Sequence, residues 1–227
     1  MKYPEHTSTQ FDTELMAVCA NVIDMSNAVE KQFRAALDSL LTGDLAVIKQ
    51  VLDDGDLVNA MEIAVDEECT NILVCRQPTA NDLRLVSTII KTINDLERIG
   101  DESENIARVS QLFAQSKSAT LPCYHQIKYV ADVALEMLKA SIAAFEALDS
   151  DAARTIRHKG ALIDDEFHSI LRHLVAYMME DTSELSMTLQ TVFVINAIER
   201  IGSHAKNISE YVVYMVEGRE ARNYCTI

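Results

Sequence analysis

Two stretches of this chain nearly repeat each other, INDLERIGDESENIA at 93–107 and INAIERIGSHAKNIS at 195–209. They agree at eight of fifteen positions, and matching residues are always 102 positions apart. A polar-studded segment that recurs once, at so long an offset, indicates internal duplication and is not the short period of a solenoid. One difference stands out, because Asp101 in the first copy becomes Ser203 in the second.

The composition favours helix around that duplication. Of 227 residues, 48% are hydrophobic and only 6 are Gly and 3 are Pro, which is typical of a folded, helix-rich chain. The formal net charge is −15. Such a charge argues against nucleic acid or an anionic lipid surface as the main ligand. Cations and basic protein surfaces are the expected counterparts.

Cysteine usage and apolar runs predict the compartment. The five cysteines form no CxxC pair, and most of them lie in apolar helical patterns, so we expect a reduced, cytoplasmic protein. The first fifteen residues contain no apolar signal core. No apolar run approaches the length that spans a bilayer, so any contact with the membrane is expected to be indirect, through partners.

Six long helices follow from the spacing of apolar residues and from the breakers between them. Gly43 is expected to end the first, Asp44 to cap the second, and the third to begin after Pro78. Pro122 is expected to open the fourth helix, residues 149–151 to cap the fifth, and Thr182 or Ser183 to cap the sixth, which Gly218 ends. The polar residues 115–120 are predicted to link the halves. Because helices joined by short turns pack antiparallel, the prediction is an all-α protein of two tandem antiparallel three-helix bundles, 1–115 and 121–220.

Acidic side chains recur on one face of the first bundle. Glu97, Asp101 and Asn105 follow at i, i+4 and i+8, and Glu62 and Asp66 show the same spacing on the preceding helix. Several carboxylate oxygens, with an amide oxygen, form the shell that a hard cation prefers. The hairpin heights of Asp66 and Asp101 differ by about 18 Å, so the register between the two stripes is left open. A solvated acidic face is the plain alternative.

The second bundle offers a weaker version of this face. Glu199 is retained, while Ser203 is a poor metal ligand. Asp164 and His168 at i, i+4 are a candidate metal pair or a surface ion pair. The glycines at 100 and 202 are expected to permit close helix approach. Arg98 and Arg200 are expected to pair with acids on a neighbouring helix or to bind an anion.

The motifs carry a family resemblance. VNAMEIAVDEEC, RQPTANDLR and DLERIGD, followed by YMMEDTSEL and the IERIG segment, closely resemble the PhoU family over essentially the whole chain. That resemblance implies two three-helix bundles, negative regulation of the phosphate-starvation response, and adaptor contacts with a sensor histidine kinase and the ATPase of a phosphate ABC transporter. It also implies metal clusters on acidic motifs, here Glu62-x-x-x-Asp66 and Glu97-x-x-x-Asp101, occupied by Mg, Mn, Fe or Zn.

A non-enzymatic adaptor, forming a homodimer, is therefore the leading hypothesis, and no residue is predicted to be catalytic. Two alternative hypotheses about the function remain open. One is a phosphohydrolase that uses carboxylate-held cations. The other is a helical scaffold without a metal role. Where metal is bound, the first bundle is expected to offer the better site, because Ser203 replaces an acid in the second.

Overall fold

The computed structural model describes residues 9–115, 121–180 and 185–219, and all regular structure in these ranges is α-helical. Six helices follow in chain order: α1 Thr9–Thr42, α2 Leu45–Arg76, α3 Ala80–Gln115, α4 Tyr124–Ala147, α5 Ser150–Glu180 and α6 Leu185–Glu217. The predicted all-α class with six long helices is confirmed.

The helix ends lie close to the expected breakers. Gly43 and Gly218 have φ of +60° and +69°, the left-handed conformation that glycine adopts at little cost after a helix. Asp44 caps α2, its Oδ1 accepting from the Ala46 N–H at 2.8 Å. Asp149 caps α5 by accepting from the Ala152 N–H at 2.9 Å. Of the predicted linker 115–120, Gln115 is the last residue of α3. Residues 116–120 and the predicted cap at 182 or 183 lie outside the described residues.

The start of α4 differs from the prediction. The helix begins at Tyr124, two residues after Pro122, because Cys123 adopts a left-handed conformation with φ of +57°. Pro122 therefore lies in the preceding turn and does not open the helix.

The helices pack as two three-helix bundles, α1–α3 and α4–α6, joined by contacts of α3 with α6 and of α1 with α4. In the described parts of the chain, α2 and α5 pack only within their own bundles. The duplicated segments on α3 and α6 thus lie both in the cores and at the junction.

Burial follows the duplication residue by residue. Leu96, Ile99 and Ile106 on α3 are completely buried, and so are their equivalents on α6, which are Ile198, Ile201 and Ile208. Full burial of such a side chain stabilises a fold by roughly 1.5–3 kcal/mol. The same apolar positions therefore build both cores.

Glycine inside α3 and α6 admits the neighbouring helix. A Cβ on Gly100 would lie 3.3 Å from Cγ1 of Val58 on α2, and one on Gly202 would lie 2.5 Å from Cδ1 of Ile163 on α5. The expected close approach is present in both bundles, and it brings the acidic positions of adjacent helices onto a common surface.

Two thiols are enclosed by the first bundle. Cys19 and Cys69 are buried, whereas Cys75 near the end of α2 is exposed. Burial, with a smaller effect from the charge of Asp66, raises the pKa of Cys69 to about 12. None of the helices in the described ranges has the length and apolarity needed to cross a membrane.

Candidate metal-binding face

The four predicted carboxylates of the first bundle lie half-buried where α2 and α3 meet. Glu62 and Asp66 stand on α2, and Glu97 and Asp101 on α3. The side chains of Glu97 and Asp101 are 24% and 41% exposed. Partial exposure leaves these oxygens open to solvent ions while reducing their hydration.

The carboxylates act on one another electrostatically. Burial and the charge of Asp101 raise the pKa of Glu97, and the charge of Glu62 on the other helix raises it further. Burial and the charge of Asp66 raise the pKa of Glu62. Glu62 therefore lies near Glu97 across the two helices, at the level where Val58 of α2 lies against Gly100 of α3. The face therefore carries negative charge that is incompletely solvated.

Neighbouring polar groups offset part of this charge. Arg98 Nε lies 3.4 Å from Glu97 Oε2, and Arg98 Nη1 lies 3.7 Å from Asp101 Oδ2. Asn105 donates to Glu102 Oε2 at 3.1 Å and accepts from Arg108 at 3.4 Å. Within residues 9–115, 121–180 and 185–219, no three His, Cys, Asp or Glu side chains are grouped so as to hold a metal ion. The ligand set Glu62, Asp66, Glu97, Asp101 and Asn105 stays a prediction.

The donor chemistry of the first face nevertheless fits a hard cation. Glu62 and Glu97 hold raised pKa values because of burial and neighbouring carboxylates, Asp66 for Glu62, and Asp101 with Glu62 for Glu97. A bound cation would remove that repulsion. The residues that would hold it are the two Glu-x-x-x-Asp pairs, which stand on adjacent helices of one bundle.

The second bundle arranges its equivalents differently. Asp164, Glu199 and Ser203 line a cavity of about 20 Å³ together with Lys206. Ser203 donates to Glu199 Oε1 at 2.9 Å. The glutamate thus accepts a hydrogen bond at the position where the first bundle has a second acid. His168 is exposed and packs edge-on against Phe167. The weaker set Asp164, His168 and Glu199 also stays a prediction.

A polar seam between α3 and α6 was missed by reasoning from the sequence. Arg200 Nη1 lies 2.6 Å from Glu102 Oε1, and Glu102 is buried. His204 Nδ1 lies 2.6 Å from Oδ1 of the buried Asp95, which also accepts from Asn207 at 3.4 Å. Arg200 thus pairs with a neighbouring helix as expected, whereas Arg98 pairs within its own helix. Both acids of the seam follow at i, i+7, which is the one signal that places them on a common face.

The seam extends toward the end of α6 through aromatic contacts. The Lys91 ammonium lies 5.5 Å from the ring centre of Tyr211 and 5.3 Å from that of Tyr214. These distances suit cation–π attraction. From Lys91 to Glu102, α3 therefore presents charged groups to α6 at three successive levels.

Comparisons with known proteins agree with this architecture. The sequence of this chain matches the family model of the PhoU domain twice, at residues 22–110 and 127–212. The phosphate-specific transport system accessory protein PhoU homolog of Pseudomonas putida is 40% identical over 219 residues, covering 96% of this chain and 85% of that protein. The crystal structure of PhoU from Pseudomonas aeruginosa aligns with a TM-score of 0.89 at 37% identity, covering 92% of this chain and 100% of that one.

A second solved structure is more distant but equally complete. The phosphate transport system regulatory protein PhoU from Streptococcus pneumoniae aligns with a TM-score of 0.85 at 25% identity, covering 93% of this chain and 99% of that one. Fold and face together define a duplicated all-α protein with an acidic helix surface in its first half. The chain belongs to the PhoU family, as two domain matches and 40% identity across nearly its full length show.

Proposed function

We propose that this protein is an accessory regulator of phosphate-specific transport that restrains the phosphate-starvation response. The observation that carries the proposal is 40% identity over 96% of the chain to a protein named as an accessory of that transport system. The solved Streptococcus pneumoniae relative, titled a regulatory protein of phosphate transport, supports it.

The regulator acts as an adaptor and not as an enzyme. One partner is the ATPase subunit of the phosphate ABC transporter, and the other is the sensor histidine kinase of the phosphate two-component system. Long exposed helix faces suit such docking, and the net charge of −15 favours basic partner surfaces. The adaptor resides in the cytoplasm as a homodimer, with bundles bounded at 1–115 and 121–220, and its partners bring it to the inner face of the plasma membrane.

Metal has a structural or interface role in this proposal. A divalent or iron cation, of Mg, Mn, Fe or Zn, is held by Glu62, Asp66, Glu97 and Asp101. The support is that the charge of Glu62 on α2 helps to raise the pKa of Glu97 on α3, and that Asp66 and Asp101 raise the pKa values of Glu62 and Glu97 on their own helices. Bound there, the cation neutralises the acidic face and bridges it to acidic groups on a partner.

Deletion of the gene tests the regulatory role. A strain without the protein, carrying a reporter behind a phosphate-responsive promoter, is expected to express the reporter even in abundant phosphate. The wild-type gene restores repression. Normal repression in the deleted strain contradicts the proposal.

Complementation with variants tests the acidic face separately. The double variant Glu97→Gln, Asp101→Asn is expected to restore repression only partly. Glu146→Gln, at an exposed acidic position on α4, is the matched control and is expected to restore it fully. Equal repression by both variants would leave the regulator without a functional acidic face.

A further inference from the structure

The helix contacts of the first bundle recur in the second and show which residues of the two bundles are equivalent. In the first bundle Val58 on α2 lies against Gly100 on α3, and in the second Ile163 on α5 lies against Gly202 on α6. The two glycines are 102 positions apart, whereas Val58 and Ile163 are 105 positions apart. The duplication therefore has an offset of 105 along α2 and α5, three residues longer than along α3 and α6.

A second contact and the pattern of burial support that offset. The Glu104 side chain lies over Gly55 of α2, and the Lys206 side chain lies over Gly160 of α5. Lys206 follows Glu104 by 102 positions, while the second glycine follows the first by 105. Buried residues of α2 and α5 also coincide at 105, in the pairs Val51 and Ile156, Val65 and Ile170, and Cys69 and Leu174.

At this offset the acidic motif of α2 has no acidic counterpart on α5. Phe167 stands where the first bundle has Glu62, and Leu171 stands where it has Asp66. Phe167 packs against the hydrophobic core. Asp164 stands at a position where the first bundle has an asparagine, so it is not the remnant of a Glu-x-x-x-Asp pair. Apolar side chains thus replace both acids that α2 offers to a cation.

Along α6 one acid of α3 is retained, one is neutralised and one is reversed in charge. The three acids of the first bundle at positions 97, 101 and 104 become Glu199, Ser203 and Lys206. Their formal charges sum to −3 in the first bundle and to zero in the second. The donor set of the second bundle therefore does not fit a hard cation, which prefers several carboxylate oxygens.

Lys206 lies where the remaining polar groups of the second bundle meet. A Cβ on Gly160 would lie 3.4 Å from Lys206 Cδ, so the aliphatic part of the lysine lies across α5. Between α5 and α6 is a cavity of about 20 Å³, which is lined by Lys206 together with Asp164, Glu199 and Ser203. A space of this size accommodates one water molecule when two to four polar groups surround it. Such a water links the ammonium to the two carboxylates.

We propose that the Lys206 ammonium takes the place of the metal ion in the second bundle and excludes a divalent cation from it. A cation that approached Glu199 and Asp164 would meet a like charge beside the cavity, and Lys206 and Glu199 are both half-buried, where such repulsion is poorly screened. Metal then acts on the first bundle alone. The inference rests on the metal role proposed above, but it concerns other residues, and its test does not require the first bundle to bind metal.

Counting the Mn²⁺ bound by the full chain tests the proposal, with the paramagnetic resonance signal of free Mn²⁺ as the measurement. The double variant Glu97→Gln, Asp101→Asn is the background, because it removes ligands of the first face. In that background no saturable binding is expected below about 1 mM. Further addition of Ser203→Asp restores the acid but keeps the lysine and should change little. Addition of Ser203→Asp with Lys206→Gln should create one Mn²⁺ site, at least about tenfold tighter than Ser203→Asp alone.

Ser203→Asp with Lys159→Gln is the matched control. Lys159 lies on α5, pairs with Glu136 at 3.0 Å and does not line the cavity. This control removes the same charge from the chain and should bind Mn²⁺ like Ser203→Asp alone. Lys206→Met provides a second neutral variant, and circular dichroism checks that each variant is folded.

Four results would overturn the proposal. They are saturable binding by the unaltered second bundle in the background variant, equal binding by Ser203→Asp with and without Lys206→Gln, an equal gain in the Lys159→Gln control, and no gain in either Lys206 variant. Absence of Mn²⁺ binding by the wild type would instead contradict the metal role of the first bundle, and the comparisons within the second bundle would still decide the role of Lys206.

Discussion

At the scale of single residues, the carboxylates of the acidic face repel one another. Glu97 and Glu62 have raised pKa values because burial and neighbouring carboxylates disfavour their ionised forms. The folded protein thus binds these protons more tightly than the unfolded chain does. Ionisation of Glu97 consequently lowers the free energy of unfolding at neutral pH, and stability is regained as the pH falls through its raised pKa.

Glu97→Gln is therefore expected to stabilise the metal-free protein at pH 7. The gain should be about 0.3–0.5 kcal/mol, the size of one like-charge i, i+4 pair, and urea unfolding followed by circular dichroism measures it. The difference should vanish below about pH 4, where the glutamate is protonated. Destabilisation at pH 7, or a gain that persists in acid, would contradict this account.

Added Mn²⁺ should reverse the order of stability, so that the wild type becomes more stable than Glu97→Gln. A cation that binds the folded face raises the melting temperature of the wild type, whereas Glu97→Gln has lost a ligand and should respond less. An equal shift in both would place the cation elsewhere.

The residue types of the first face were readable from the sequence, because i, i+4 spacing fixes a common helix face. The pairing of Ser203 with Glu199 was not, since a serine at that position equally suits solvent. The coupling of Glu62 to Glu97 was not readable either, because it depends on the register of α2 against α3. In the structure, Val58 of α2 lies against Gly100 of α3 at that register.

At the scale of elements, α3 is central because it packs in one bundle and also meets α6 of the other. The helix bounds were largely predictable, since Gly43, Asp44, Pro78 and Gly218 punctuate a strong apolar pattern. The seam was not predictable. Its members are charged, and charged residues beside an apolar stripe are ordinarily assigned to solvent. Only the tertiary structure shows that Asp95 and Glu102 are buried against α6.

The arginines at the two repeated positions should differ in their effect on stability. Arg200→Ala leaves the buried Glu102 without its cation and should cost about 1–3 kcal/mol, below the full penalty because Arg200 is itself 51% exposed. Arg98→Ala removes only longer contacts on an exposed surface and should cost less than about 0.5 kcal/mol. Urea unfolding of both variants at pH 7 measures the difference, and equal costs would show that the seam does not stabilise the fold.

At the scale of the whole molecule, the two bundles share a charged and apolar junction and are expected to unfold together. The sequence offers a convenient test, since it contains no Trp and six of its seven tyrosines lie beyond residue 120. Tyrosine emission therefore reports the second bundle, while circular dichroism at 222 nm reports both. The two unfolding curves should coincide. A tyrosine transition displaced from the helical one would show that the bundles unfold independently.

The reactivity of its cysteines reports whether the first bundle is open or closed. Cys75 is open to a thiol reagent at once, while Cys19 and Cys69 are enclosed and Cys69 stays a thiol at any ordinary pH. Only the thiolate reacts, so labelling of these two cysteines must wait until α1 and α2 separate. The rate at which they are modified therefore measures how fast that helix pair opens. A slower rate after addition of a metal or a partner protein would show which ligand keeps the bundle closed.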